Sequence, residues 1–135
     1  MWKTEEVPKV YLTALCAWRE ARGESDEGIR AVLHVIDNRA RKPSWWGSGH
    51  EEVVLKPYQF SSFNADDPNA SKLPRSGDAR FRWIMDRAAL VIMREDEDLT
   101  GGATHYHTLE ISPPWADGMV KCATIGSHVF YREKP

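Results

Sequence analysis

A chain of 135 residues, 41% of them hydrophobic and with six tryptophans, is long enough for one domain with a real core. Its formal net charge of -2 excludes the broad basic footprint of a nucleic-acid-binding domain and leaves an uncharged carbohydrate polymer as a compatible partner, with tryptophans available to stack on sugar faces. Two cysteines are too few for a disulfide framework, and no apolar run reaches the roughly 18 to 20 residues that insert across a membrane.

The first helix is predicted to start near Thr4 or Pro8, since proline is tolerated in a first turn. It carries Val7, Tyr11, Ala14, Leu15 and Trp18 on one face, with Cys16 as a buried thiol, and Gly23 is its expected stop in the left-handed conformation. Ser25 caps a second helix, with Asp26 and Glu27 in the first turn, where the helix dipole favours negative charge. Ile29, Val32, Leu33 and Ile36 repeat at helical spacing, and Pro43 ends the run. Asn38 and Arg39, a polar pair after this apolar stripe, are candidates to brace the region around Glu20.

Residues 42–50 read as a loop rich in Ser, Gly and Trp, followed by a short helix over 51–55 that Pro57 ends. Tyr58 to Asn64 alternates polar and aromatic residues, a loop anchored by Phe60 and Phe63, and 65–77 is a long surface loop. A third long helix is predicted over 78–95, burying Phe81, Ile84, Met85, Ala88, Val91 and Ile92. The acidic residues 95–98 are ill-matched to the negative end of a helix dipole and are expected to fray into solvent. After Thr100-Gly101-Gly102, a strand is predicted over 103–108 and a hairpin of 120–125 with 128–132, turned at Gly126-Ser127, with Cys122 a second buried thiol. Helices come first and a small antiparallel sheet fills the C-terminal third, which makes the fold class α+β in a single domain over 1–135.

Glu20 is the candidate for chemistry. A glutamate among Tyr11, Leu15 and Trp18 near a helix end can be desolvated, and a desolvated carboxyl holds its proton to higher pH, as a general acid must. The plainer reading is a surface charge balancing Arg19 and Arg22. Three classes compete: a glycan-cleaving enzyme with Glu20 as acid, helped by Gln59, Ser61 and Tyr106; a zinc hydrolase using His105, His107 and His128, the first two on one face of a strand; and a non-catalytic module that binds sugars on exposed tryptophans.

Taken in order, Glu20-Ala21-Arg22-Gly23-Glu24, Gly28, Ala31-Val32, Asn38-Arg39, Gln59-Phe60-Ser61, the run Thr100 to His107, Pro114-Trp115 and the run Gly126 to Tyr131 resemble the SleB-type cell wall hydrolases, which include spore-cortex-lytic enzymes and phage lysins. The resemblance covers nearly the whole chain. It implies a lysozyme-like fold that cleaves the peptidoglycan bond between N-acetylmuramic acid and N-acetylglucosamine, with Glu20 catalytic, no cofactor and no metal. It also implies a cleft lined by Gln59, Phe60, Ser61, Thr104, Tyr106 and His107, with Glu24, Asn38, Arg39 and His128 in support. At His107 many relatives carry an aromatic or polar residue.

Ordinary glycoside hydrolysis needs two carboxylates. Glu24 lies across a helix end from Glu20, and Asp37, Asp66 and Asp67 have no distinctive setting in the sequence. A lytic transglycosylase needs only one, because the muramic acid's own 6-hydroxyl attacks the anomeric carbon. That is the expected reaction, with a muramidase or a zinc-dependent amidase as alternatives. The expected partner is the bacterial peptidoglycan strand, acted on by a monomer. The start, Met1 to Pro8, shows no secretion signal, so synthesis in the cytoplasm and release through a pore made by another, phage-encoded protein is the expected setting.

Overall fold

The computed structural model describes residues 4–56 and 72–135. Tyr58, Gln59, Phe60, Ser61 and Phe63 and most of the 65–77 loop lie outside the described residues.

A 3-10 turn, Thr4–Glu6, leads into α1, Val7–Ala21. This helix packs against all three that follow, so its burial runs almost all the way round: Val10 and every residue from Thr13 to Arg19 are buried. Val7 and Tyr11, predicted on the core face, are exposed instead, because small residues (Ala14, Ala17, Ala21) form the side that approaches the neighbouring helices. Gly23 is not the left-handed stop that was expected. It is not among the glycines with positive φ, and nothing stands where its Cβ would be. The helix ends because Ser25 starts the next one, its hydroxyl accepting from the Gly28 amide at 3.2 Å.

Helix α2, Asp26–Arg41, buries Ile29, Val32, Leu33 and Ile36 as its periodicity predicts. Its last carbonyls are closed by a side chain: the fully buried Trp46 indole donates to the Arg39 and Lys42 carbonyl oxygens at 2.9 and 3.0 Å. Helix α3, His50–Leu55, is followed after the undescribed stretch by α4, Ala79–Ile92, capped by Asp78 accepting from the Phe81 amide at 2.8 Å. α4 stops at Ile92, short of the predicted 95. Arg94 takes a left-handed φ of 60°, the one described non-glycine residue to do so, and turns the chain back.

The acidic stretch that follows does not fray. The Asp96 side chain is only 2% exposed, holding Arg30, His34 and Arg87 at 3.1, 2.8 and 2.9 Å. Asp98 accepts from Asn38, from the Thr100 amide and hydroxyl, and from the Gly102 amide. Basic partners on two helices outweigh the dipole at the end of one.

Strands β1, His105–Thr108, β2, Val120–Ile125, and β3, His128–Arg132, form an antiparallel sheet in the order β1-β3-β2. Ala103 and Thr104, predicted as strand, precede it, with the Thr104 amide bonded to the Tyr131 carbonyl at 2.9 Å. The register sets Tyr106 opposite Phe130 and His107 opposite Val129. One face of the sheet therefore carries Tyr106, Phe130 and His128, and packs Phe130 with Ala31 and Val35 of α2. Both cysteines are free; Cys16 is fully buried, but Cys122, at the β2 irregularity, is only half-buried.

Candidate functional site

Glu20 stands in the last turn of α1, partly exposed, on a helix whose preceding residues are buried. Its surroundings are fixed from three sides. Along its own helix, Cys16 lies one turn back, and Arg22 stacks over Trp18 at 4.4 Å while donating to the Trp18 carbonyl at 3.2 Å. From the loop ahead of α4, the Lys72 carbonyl accepts from Arg19 Nε at 3.0 Å. From the sheet comes Tyr106.

Burial pushes the Tyr106 phenol far above its ordinary value, and the charge of Glu20 adds to this. The Cys16 thiol is raised by the same two causes in the same order. Glu20 thus lies within electrostatic reach of two groups that keep their protons. Arg39 adds a buried cation: its Nε donates to the Thr104 carbonyl at 2.6 Å, its guanidinium lies 5.6 Å from the Trp46 ring, and burial lowers its proton affinity. Asn38 donates to both Asp98 and the Ala103 carbonyl at 2.9 Å. The pair after the α2 stripe therefore clamps the entry to β1, and so fixes where Tyr106 emerges.

Glu24 reaches across to the hairpin turn. Ser127 offers its amide at 3.1 Å and its hydroxyl at 2.8 Å to the carboxylate, and His128 Nδ1 is 3.4 Å away. The Ser127 hydroxyl hydrogen bond is the largest influence holding the Glu24 carboxyl below its usual range. Burial, partly offset by Glu24, lowers His128, whose ring meets Tyr106 edge-on at 5.0 Å. Gly126 has to be glycine here: at φ 58° a Cβ would stand 2.9 Å from Glu24 Oε1.

His105 and His107 share a face, as their spacing predicts, but it is the face away from Tyr106, and His128 is on the other. His107 stacks on Tyr131 at 5.2 Å and bonds its hydroxyl at 2.9 Å. His105 sits among Trp45, Trp46 and Trp115, and burial, with Arg39 nearby, lowers its pKa to about 4. Thr104 is buried, its hydroxyl 2.9 Å from His105 Nδ1. Among the described residues no group of three or more His, Cys, Asp or Glu is placed to hold a metal ion.

The structure thus gathers Glu20, Tyr106, Cys16 and Arg39, with Glu24 and His128 beside them, and sets His107 apart. Gln59, Phe60 and Ser61 are outside the described residues. Sequence reasoning passed over Asp37, which is buried and accepts from His50 at 2.8 Å and Arg41 at 2.9 Å, and it gave no role to Cys16 beyond burial. Neither carries a local signal: the partners of Asp37 include a residue on another helix, and the significance of Cys16 depends on what Tyr106 brings to it.

The sequence profile of the family described as Cell Wall Hydrolase matches residues 23–131, a span that begins just after Glu20. Among solved structures, the catalytic domain of the germination-specific lytic transglycosylase SleB from Bacillus anthracis is similar with a TM-score of 0.73 and 22% identity, over 97% of each chain. The catalytic domain of Bacillus cereus SleB is similar with a TM-score of 0.70 and 23% identity, over 92% of this chain and 89% of that one. The lysozyme-like α+β fold is common to all three. No curated protein sequence matches.

Proposed function

Because the chain belongs to the cell wall hydrolase family, whose profile spans most of its length, we propose that it degrades peptidoglycan by cleaving the N-acetylmuramic acid to N-acetylglucosamine bond as a lytic transglycosylase, with Glu20 as its acid and base. The observation that carries this reading is the position of Glu20: half-buried in the last turn of a buried helix, within electrostatic reach of a phenol and a thiol that keep their protons. The Bacillus anthracis domain of the same fold is itself a lytic transglycosylase.

In the proposed reaction the protonated Glu20 carboxyl gives its proton to the glycosidic oxygen as the bond to the anomeric carbon breaks. The muramic 6-hydroxyl then attacks that carbon and returns its proton to the Glu20 carboxylate, leaving a 1,6-anhydro end and restoring the acid. Tyr106, kept neutral, offers a hydrogen bond to the sugar, and Gln59, Phe60, Ser61 and Thr104 are assigned to lining the cleft. Supporting a single-carboxylate route, Glu24, Asp37, Asp96 and Asp98 are each held by hydrogen bonds to other parts of the fold. The same partners hold all four carboxyls below their ordinary range, which marks them as fastened into the fold.

Purified peptidoglycan digested with the wild type and with Glu20→Gln, with and without a chelator, tests this by mass spectrometry of the fragments. Anhydro-muramyl ends from the wild type, with activity reduced roughly 10²- to 10⁴-fold in the variant, are expected. Reducing muramic ends would identify a muramidase, and stem peptides released only without chelator would identify a zinc amidase.

A further inference from the structure

At the C-terminal end of α2, the last helical turn, the Arg94 turn, the end of β3 and the residues after it line a cavity of about 430 Å³. Its walls are cationic: Arg41, Lys42, Arg94, Arg132 and Lys134 line it, against the single side-chain carboxylate of Glu133. Arg41 is spoken for, bonded to Asp37 at 2.9 Å and to the Ile92 carbonyl. Lys42, Arg94, Arg132 and Lys134 are all exposed and make no ion pair among the described residues. Arg41 and Arg94 also border the neighbouring cavity that Asp37, Asp96 and Asp98 line, so the positive charge facing the 430 Å³ cavity without a carboxylate close by is concentrated on Lys42, Arg132 and Lys134. Like charges facing one cavity repel, and an anion inside it relieves that repulsion.

Arg94 gives a second sign. It holds a left-handed backbone, φ 60°, at a helix end where glycine would sit without strain. That backbone is strained for any residue but glycine, and arginine at this position places a charged side chain on the cavity wall. The cavity also adjoins the candidate site through Thr104, which lines it and whose carbonyl accepts from the buried Arg39.

We propose that this cavity binds the carboxylates of the peptide stems on the peptidoglycan strand, so that the domain reads the stem as well as the glycan. The proposal rests on the peptidoglycan reading above for the source of the anion. At 430 Å³ the cavity is within the size range of small-ligand sites and takes a short peptide segment. Guanidinium groups and ammonium groups pair with carboxylates through charge-assisted hydrogen bonds.

The test removes charge without endangering the fold. In Arg94→Gly the backbone strain is relieved, and Lys42→Gln is an exposed change; combined, they should melt at or above the wild-type temperature. In a Glu20→Gln background, which prevents turnover, the affinity of the double variant is measured by calorimetry for a soluble glycan fragment bearing peptide stems and for the same fragment with its stems removed. A third probe is a poly(glycerol phosphate) chain. The expected result is a roughly three- to tenfold loss of affinity for the stem-bearing fragment, a weaker salt dependence, and no change for the stem-free one. Equal affinity of variant and parent for the stem-bearing fragment overturns the proposal, as does an equal loss on both fragments. A loss seen only with the phosphate polymer overturns the choice of carboxylate. If wild-type digestion yields no glycan cleavage, the proposed function fails by that separate measurement, while stem binding still stands or falls on the calorimetry.

Discussion

Asp96 and Glu20 are both carboxylates set against the helical core, and their surroundings differ in kind. Asp96 is enclosed by two arginines and a histidine, on a loop that also carries Asp98 with its own ring of donors. For Asp37, Asp96 and Asp98 burial is the largest single influence and raises the carboxyl. The hydrogen bonds and cations around each outweigh it, so all three are held below the ordinary range. Around Glu20 the described neighbours include Tyr106 and Cys16, both pushed toward their protonated forms. The first region uses charge to fasten a loop to α2. The second places a carboxyl within electrostatic reach of a phenol and a thiol that keep their protons.

That contrast is broken most severely by Asp96→Ala. It leaves His34 and two arginines facing an uncompensated buried site, and a loss of about 3 to 5 kcal/mol is expected in chemical denaturation. Glu20→Gln should cost clearly less than this in the same measurement. If Asp96→Ala is as stable as the wild type, the loop is not held by its charges.

Acid sharpens the same comparison. Carboxyls that titrate lower in the folded chain than in the unfolded one stabilise the fold fully above the ordinary carboxyl range, near 4, and that stability is lost as the pH falls through their folded values. Melting temperature should therefore decline gradually as the pH falls through the ordinary histidine value near 6.5, where the unfolded chain takes up protons that His105 and His128 exclude, and drop more steeply below about 4, with a shallower drop at that acid limb in Asp96→Asn. An equally steep acid limb in that variant would assign the transition to other groups.

The smallest effect concerns Glu24, the neighbour of Glu20 in sequence and the counterpart of Asp96 in role. Glu24→Gln keeps one acceptor for Ser127 and loses the charge, so a destabilisation of about 0.5 to 1 kcal/mol is expected, with hydrogen exchange at the Ser127 amide speeded most.

Sequence alone was enough for the features that are local. Ser25 and Asp78 are caps because a hydroxyl or carboxylate reaches an amide three residues on, and α2 shows its apolar stripe because the polar residues that interrupt it, Arg30, His34, Asp37 and Asn38, face polar partners rather than the apolar core. α1 misled because apolar and small residues fill every side of it from Ala14 to Trp18, so no polar side marks which face is outward, and Val7 and Tyr11 were placed inside. Residues 95–98 misled because their partners, Arg30, His34, Asn38 and Arg87, belong to α2 and α4, and a dipole rule applied to one helix sees none of them. At the candidate site, the prominence of Glu20 and Tyr106 was legible as residue types in order. Their convergence, the buried Arg39 and the separation of His107 onto the opposite sheet face required the register of β1 against β3.

The clasp between Glu24 and Ser127 joins positions 103 residues apart, and Arg39 meets Thr104 across 65. Helices can form from neighbours in the chain, but these two closures depend on contacts of high sequence separation, which raise contact order and slow folding. Tyr106 reaches Glu20 only once the last strands have docked on the first helices. A partly folded or still-growing chain can thus hold its helices before Tyr106 and Glu20 are brought together, and the candidate site is completed only with the final step of assembly.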